Sequence, residues 1–506
     1  MITDLLELCG FEPEGIGRQL PRAMKTFEKF GLTDEDIKRG MERIKLYYNT
    51  DIEGVRKTLG IQLRELFDIT LARDEGKRVI IHGTIPQISG ETMIAAALHS
   101  DDVLVAFPDV VALDTIGAYF DRFDHVYQAI ENRWMSAQGA HCSICKIAKG
   151  LYALDLIPRP DLFVSLGRTC DEQPKADELM YEFMGVPVQY INLPQDQWDY
   201  EVDFPRGRDF MAQELEACKE RMESVLGFAI TSEMLEEAGR LRDQMMATMR
   251  KGRDLMLYGD PVPINAASWD MIRRFGFKPM GRDNLERATE AVALTYEELR
   301  RRLNEGIGVV PKGAPRIMVQ MAPHADLEFY RMLEDLGIAL TVTETATYGP
   351  DGAFSVTVAT KDKTPFQIWS ERILWKTNTA SLPVRIKGVI GACKKYNLDG
   401  ILWAAHYPCR PTAGDAMMIK DAVTKELGLP MLVLEYDPFD SRFHTTPQLE
   451  TQLETFAEML KSIKKRKQSE KELRGKELKE KWLKEKEASA AGEKGTAELD
   501  GGWEAC

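Results

Sequence analysis

Two stretches of this chain read alike, and their likeness narrows the folds open to it. In the first, Leu162-Phe163-Val164 leads to Cys170, then to a helical stretch, then to Gly185-Val186-Pro187 and the run Val188 to Ile191. In the second, Ile401-Leu402-Trp403-Ala404 leads to Cys409, a helical stretch, Gly428-Leu429-Pro430 and the run Met431 to Leu434. Short apolar runs without alternation fit parallel strands covered on both faces. Each stretch therefore reads strand, cysteine loop, helix, Gly-x-Pro, strand. A residue leaving the carboxyl end of such a strand stands where α/β proteins usually hold ligands.

Further apolar runs complete the pattern. Val79-Ile80-Ile81 and Val103 to Phe107 precede the first stretch; Arg316 to Met321 and Ala339 to Thr343 precede the second. The expected fold class is α/β, with two doubly wound domains, Rossmann-like or flavodoxin-like, over residues 76–205 and 315–460. Residues 206–314 join them as a mostly helical segment. It is rich in methionine, a residue that fills irregular core gaps, and Pro261-Val262-Pro263 breaks it. Residues 1–75 carry apolar residues at helical spacing, notably in Met41 to Tyr48 and Val55 to Phe67, and predict a helical N-terminal extension. Residues 461–506 form a charged tail. Lys and Glu three and four apart support a helix there, and the last residues are expected to be disordered.

The formal charge of −14 disfavours nonspecific binding to nucleic acid. The first residues are acidic and lack a basic n-region. The best candidate for a membrane span, Val103 to Phe120, is interrupted by Pro108, Asp109 and Asp114. Eight cysteines in 506 residues do not make a disulfide framework. These features predict a cytoplasmic chain with reduced thiols and no membrane or nucleic-acid partner. No phosphate loop of the Gly-x-x-x-x-Gly-Lys-Ser/Thr type occurs, and no strand is followed by Gly-x-Gly-x-x-Gly. The chain does not read as an ATPase or a nicotinamide enzyme on its own.

The cysteines carry the chemistry. Besides Cys170 and Cys409, the segment His141-Cys142-Ser143-Ile144-Cys145 holds a Cys-x-x-Cys pair. Alone, that pair suits a redox couple, half a zinc site or half a cluster site. Zinc usually requires a second pair, which is missing. A redox couple leaves Cys170 and Cys409 unused. Iron–sulfur clusters accept distant thiolates brought together by folding, and the strand-end positions of Cys170 and Cys409 favour that reading, with Cys142 as the third thiolate. Glu91, His141 and His406 are candidates to donate or accept protons nearby. Glu435, Asp437, Asp440 and Arg442 read as a charge network at a strand end.

Several segments together resemble the 2-hydroxyacyl-CoA dehydratase family, also called the 2-hydroxyglutaryl-CoA dehydratase D-component family. It includes subunits of ATP-dependent benzoyl-CoA reductase. The segments are His141-Cys142-Ser143, Pro160-Asp161-Leu162 through Thr169-Cys170-Asp171, and Cys409 with Ala413-Gly414-Asp415. Leu434 to Arg442, Gln448 to Leu460, Pro86 and Glu91 to Ala97 add to the likeness, which runs over residues 76–460. Ser441 stands where the family has proline, and Cys145 is extra to the pattern. The resemblance implies a 4Fe–4S cluster on Cys142, Cys170 and Cys409; Cys145, outside the family's pattern, is a further candidate ligand by its place beside Cys142. It implies an acyl-CoA substrate, a related partner subunit in a heterodimer, and an ATP-dependent activator protein as electron donor. The leading expectation is a subunit of a 2-hydroxyacyl-CoA dehydratase, an anaerobic lyase that expels water through a ketyl radical. The alternatives are a subunit of a benzoyl-CoA reductase-type oxidoreductase and a non-catalytic electron-relay subunit.

Overall fold

In a computed structural model of the chain, the described residues are 1–83, 90–135, 141–167, 170, 172–194, 204–321, 326–349, 351–353, 358–376, 380–406, 409–440, 442 and 446–493. Pro86, Thr169, Asp171, Ser441 and the last residues of the charged tail, 494–506, lie outside them.

All eight expected strands form, in two sheets of four. The first sheet holds β1 (Arg78–His82), β2 (Val103–Ala106), β3 (Leu162–Leu166) and β4 (Val188–Ile191). The second holds β5 (Arg316–Val319), β6 (Ala339–Thr343), β7 (Gly400–Ala404) and β8 (Met431–Leu434). The orders match: β2-β1-β3-β4 and β6-β5-β7-β8, with every pairing parallel. In each sheet the chain runs from the central strand to one side and then crosses to the other. The crevice beyond that reversal is the usual ligand position of a doubly wound sheet. Cys170 follows β3 and Cys409 follows β7, the equivalent strands on the far side of each reversal. The likeness of the two stretches is thus a likeness of topology. Gly185 and Gly428, at φ +65° and +61°, make the left-handed turns that lead into β4 and β8.

Side chains along β7 alternate between two cores. Leu402 and Ala404 join Ile317, Val319 and Leu434 against Leu449, Leu453, Phe456 and Leu460. Ile401 and Trp403 join Met318, Val342 and Met431 against Val389, Cys393, Ile419 and Val423. Both faces are therefore covered by helices, which is why the strand reads as an unbroken apolar run. The first of those helices comes so close that a Cβ on Gly400 would stand 2.5 Å from Leu460 Cδ2.

The helical regions are more integrated than their charge suggests. Helices Ile2–Leu8, Pro13–Lys29, Asp34–Tyr47 and Glu53–Leu71 make up the N-terminal region. Leu59, Leu63, Leu66 and Phe67 of the fourth share one core with Ile80 and Ile81 of β1. Helices Phe204–Leu226, Ser232–Tyr258, Ala266–Arg273 and Arg282–Glu305 join the two sheets. Met211, Met222, Met245, Met249 and Met256 are buried there as packing residues. A buried charge network ties these parts together. Lys278 Nζ lies 2.9 Å from Glu65 and 3.4 Å from Asp114, and Arg274 pairs with Asp114 and Asp270. The closing helix is a single element, Thr446–Glu493, that runs through the boundary expected at 460. Lys464 and Lys467 hold it to Asp399 at 3.2 and 3.0 Å. No helix of the described residues is long and apolar enough to cross a membrane.

Candidate metal centre

Residues just past the carboxyl ends of β2, β3, β5, β6, β7 and β8 face a single cleft of about 720 Å³. Cys142, Cys145, Cys170 and Cys409 all line it. Cys142 is the N-cap of helix Ser143–Ala153, and Cys145 lies in that helix's first turn. Cys170 immediately precedes helix Glu172–Glu182, apart from residue 171, and accepts a hydrogen bond from the Gln173 N–H at 3.2 Å. Cys409 leads into the short helix Arg410–Ala413. The positive ends of the two longer helices thus point at sulfurs, an arrangement that favours anions.

The thiols interact with one another. Cys145 lies near enough to Cys142 and Cys170 for each thiol to shift the other's proton affinity. Cys409 lies close enough to feel charge on Cys170 and on Cys142. The neighbouring Cys145 favours the Cys142 thiolate, but burial and the neighbouring Cys170 and Cys409 push the Cys142 thiol up. The Cys145 thiol is raised by the neighbouring Cys142, the Cys170 thiol by the neighbouring Cys145, and the Cys409 thiol by burial. Buried thiolates crowded in this way need a cation to neutralise them. Four soft sulfur donors suit a thiophilic metal or an iron–sulfur cluster. Among the described residues no three His, Cys, Asp or Glu side chains converge on one ion. A cluster does not require that, because each of its thiolates binds a different iron. The donor set therefore fits an iron–sulfur group better than a mononuclear metal.

His406 is buried beside this set. Its Nε2 lies 3.2 Å from Cys142 Sγ, and its Nδ1 lies 3.6 Å from Asp437 Oδ2. Asp437 is fixed by the Ser143 hydroxyl, which donates at 2.5 Å, and by the Phe439 N–H at 2.9 Å. Burial holds the His406 imidazole below its ordinary range against the pull of Asp437 and Asp440. Glu91 also lines the cleft and accepts from Arg242 at 2.6 Å. His141 is instead turned to Glu172, with Nδ1 at 2.5 Å from Oε1. The structure thus brings Glu91 and His406 to the cleft, whereas His141 is not among its lining residues.

The segment after β8 clamps the two halves together. Arg442 binds Asp440 at 2.6 Å and Glu131 at 2.9 Å and lies over the Tyr127 ring at 4.7 Å. Tyr127 donates to the Phe439 carbonyl at 2.6 Å, and Lys146 reaches Glu131 at 2.9 Å. Asp437, Asp440 and Arg442 are thus the charge network expected at a strand end, whereas Glu435 is exposed.

Sequence reasoning missed the cationic wall. Arg242, Arg250 and Arg253 project into the cleft from helix Ser232–Tyr258, joined by Arg273, Arg372 and Lys376. Burial, with Arg242 and Arg273 nearby, pushes the Lys376 ammonium down to about 7. Arg242, Arg250 and Arg253 recur at helical spacing with Met246 and Met249, but that spacing alone does not tell a cleft wall from a solvated face.

Fold and site define an α/β protein with two like sheets and a thiol-lined cleft between them. The family model described as 2-hydroxyglutaryl-CoA dehydratase, D-component, matches residues 137–460, more than half of the chain, and the chain belongs to that family. It is 21% identical over 314 residues to the alpha subunit of (R)-2-hydroxyglutaryl-CoA dehydratase from Acidaminococcus fermentans, a match covering 62% of this chain and 62% of that one. It is 22% identical over 318 residues to a subunit of benzoyl-CoA reductase from Thauera aromatica, covering 60% of this chain and 71% of that one. The chain thus spans less than two thirds of the dehydratase subunit's length. All four cleft cysteines and both site histidines fall within the family match, whereas Glu91, β1 and β2 precede it.

Proposed function

We propose that this chain is the iron–sulfur subunit of a 2-hydroxyacyl-CoA dehydratase-type enzyme, holding a 4Fe–4S cluster on Cys142, Cys170 and Cys409. The observation that carries the reading is that three cysteines from three separate loops line one cleft. When bound, the cluster supplies one electron at low potential, received from an ATP-dependent activator, to the thioester of an acyl-CoA. A related subunit completes the enzyme, as the subunit names of both relatives suggest.

The chain's own residues serve that chemistry in three ways. Arg250, Arg253 and Arg372 offer guanidinium groups to the phosphates of coenzyme A. Phe107, Val110, Met249 and Trp269 give the cleft an apolar wall that keeps water from a reactive acyl intermediate. His406 Nε2–H donates to the Cys142 sulfur once that sulfur is a thiolate, while Asp437 orients the ring. The aromatic lining from Phe107, Trp269, Phe277 and Trp369 favours a second reading, a benzoyl-CoA reductase-type subunit acting on an aromatic acyl group.

Anaerobic reconstitution of the full chain tests the proposal through iron and sulfide content. Replacing Cys142, Cys170 or Cys409 by serine is expected to remove most of the bound iron. Unchanged iron in all three variants would overturn the site. Turnover with partner, activator and ATP then separates a 2-hydroxyacyl-CoA from an aromatic acyl-CoA substrate.

A further inference from the structure

Behind the Cys170 loop, one face of the first sheet carries a buried polar cluster that lies outside the cleft. Lys149 Nζ pairs with Asp177 Oδ1 at 2.5 Å, and both side chains are wholly buried. Gln173 is buried beside them. Gly83, the residue after β1, marks how close they stand. A Cβ there would lie 2.6 Å from Gln173 Nε2 and 3.0 Å from Asp177 Oδ2. Phe163 Cε1 is 2.9 Å from the same point, and the Lys149 ammonium lies over the Phe163 ring. Ser165 shares that face, because side chains two apart on a strand point the same way. Tyr152 follows Lys149 by one turn of helix Ser143–Ala153, and Asp109 holds the Ala148 N–H of that helix at 2.9 Å.

Six polar atoms of this cluster are buried without a hydrogen-bond partner among the described residues. They are Asp109 Oδ2, Tyr152 OH, Ser165 Oγ, Gln173 Nε2, Gln173 Oε1 and Asp177 Oδ2. A buried donor or acceptor left bare costs its full desolvation. Six such atoms would cancel a large part of a fold's stability. Hydroxyls and the amide nitrogen can donate here, and the carboxylate and amide oxygens accept. An internal water makes about three hydrogen bonds, so two or three waters satisfy roughly the whole set.

The cluster has two ends. At the inner end, the Gln173 backbone N–H donates to Cys170 Sγ at 3.2 Å, so its side chain stands behind a sulfur that lines the cleft. At the outer end, Ser165 is level with Tyr190 across the β3–β4 pairing. Strand β4 is the edge of the sheet, and Tyr190 is half-buried there.

We propose that this cluster binds a short file of ordered water molecules, and that the file carries protons between solvent at Tyr190 and the cleft. The route rests on the dehydratase or reductase reading and deepens it. A cleft whose apolar wall keeps water away has to exchange protons by another path. In dehydration, the departing hydroxyl takes one proton and leaves as water, and the acyl chain returns one proton as its double bond forms. In ring reduction, each electron from the activator is matched by one proton moving inward. Each hop along the file breaks one O–H bond and forms another, and no residue is oxidised or reduced. Gln173 and the Lys149–Asp177 pair are positioning residues that hold the waters in line.

A high-resolution crystal structure of the full chain tests the waters. Ordered waters are expected within hydrogen-bond distance of the Gln173, Asp177 and Ser165 side chains, and a dry cluster overturns the proposal. Gln173→Met, similar in length but without polar groups, tests the route in the complete enzyme with partner and activator. It is expected to lower kcat about tenfold, roughly one hydrogen bond's share of the barrier. KM and iron content should hold, and the solvent deuterium isotope effect on kcat should rise as proton delivery becomes limiting. An unchanged kcat and isotope effect overturns the route. Should that variant fail to fold, Ser165→Ala is a smaller change at the outer end and carries the same expectations. A chain that turns over neither class of acyl-CoA overturns the enzymatic reading and the route together, while the crystal still decides the waters.

Discussion

Cys142 and His406 are 264 residues apart in sequence, yet Sγ of the first lies 3.2 Å from Nε2 of the second. Cys142 caps a helix beside the first sheet, and His406 leaves β7 of the second. The contact therefore reports how the two sheets are set against each other. In the proposed cluster, an imidazole carrying its proton on Nε2 would place a donor on the Cys142 sulfur, and such bonds raise the reduction potential of a cluster by stabilising its more negative, reduced state.

Replacing His406 by Leu removes that donor. The cluster of the His406→Leu chain is expected to become harder to reduce by roughly 50 mV, the one-electron equivalent of about 1 kcal/mol of hydrogen bonding. Redox titration followed by EPR measures the shift, and an unchanged potential would show that the imidazole does not donate to Cys142. Iron content should hold, because His406 is not a ligand in this reading.

The loop bearing Cys409 is held from beneath by Arg385. This guanidinium is buried against Glu344 at 2.9 Å, lies over the Trp403 ring at 4.8 Å and donates to the Pro411 carbonyl. Trp403 in turn donates to the Thr412 carbonyl at 2.7 Å. Glu344→Gln leaves the buried arginine short of its main counter-charge, which costs about 3 kcal/mol when a buried pair is broken. Urea denaturation is expected to show that loss, with weaker iron retention at the loosened loop. A midpoint within error of the wild type would mean that Asp415, 3.1 Å from Arg385, suffices.

Asp109 supports the helix of Cys142 and Cys145 by accepting from the Ala148 N–H at 2.9 Å. Burial pushes its carboxyl up to about 7, against the nearby Lys149 charge. The fold therefore favours the protonated form. Its contribution to stability is full below the unfolded value of ~3.9 and is lost as pH rises through 7. Asp109→Asn keeps an acceptor for Ala148 and removes the titration. Between pH 5 and 8.5 the wild type is expected to lose a few kcal/mol more stability than the variant, because each tenfold change in proton affinity is worth on the order of 1.4 kcal/mol. Parallel stability curves from urea melts at the two pH values would refute this.

Strands were legible because their signal is local: a parallel strand buried on both faces needs an unbroken apolar run, and residues 79–81, 162–164, 317–319 and 401–404 supply it in β1, β3, β5 and β7. The cysteine loops were legible because two copies of one topology put Cys170 and Cys409 at equivalent places. The Cys142 loop joined them only through the family resemblance and the Cys-x-x-Cys pair. Other features depend on what a helix meets after folding. Nothing in the sequence around Arg250 or Lys376 tells a cleft wall from a solvated face. The tail beyond 460 reads as solvated charge, yet Lys464 and Lys467 are tied to Asp399. Helix Glu53–Leu71 reads as one side of an extension, yet it is buried almost all round.

That last helix gives a sharp test of whether the N-terminal region is part of the main body. Gly54 packs against helix Arg282–Glu305, and a Cβ there would overlap Thr295 Oγ1 and the Ala291 carbonyl. Neither can yield cheaply, since the carbonyl is helix backbone and Thr295 Oγ1 already donates to it at 2.8 Å. Gly54→Ala should therefore cost about 1–3 kcal/mol through overpacking, despite the better helix propensity of alanine. Gly17, exposed in helix Pro13–Lys29 with nothing within 4 Å of an added Cβ, is the control. There the same change should stabilise by about 0.5–1 kcal/mol. Opposite shifts of the denaturation midpoint in the two variants, read on a single cooperative transition, would show the N-terminal helices folding as one unit with the sheets. A Gly54→Ala chain that melts only a minor early phase would instead mark them as a separately stable layer.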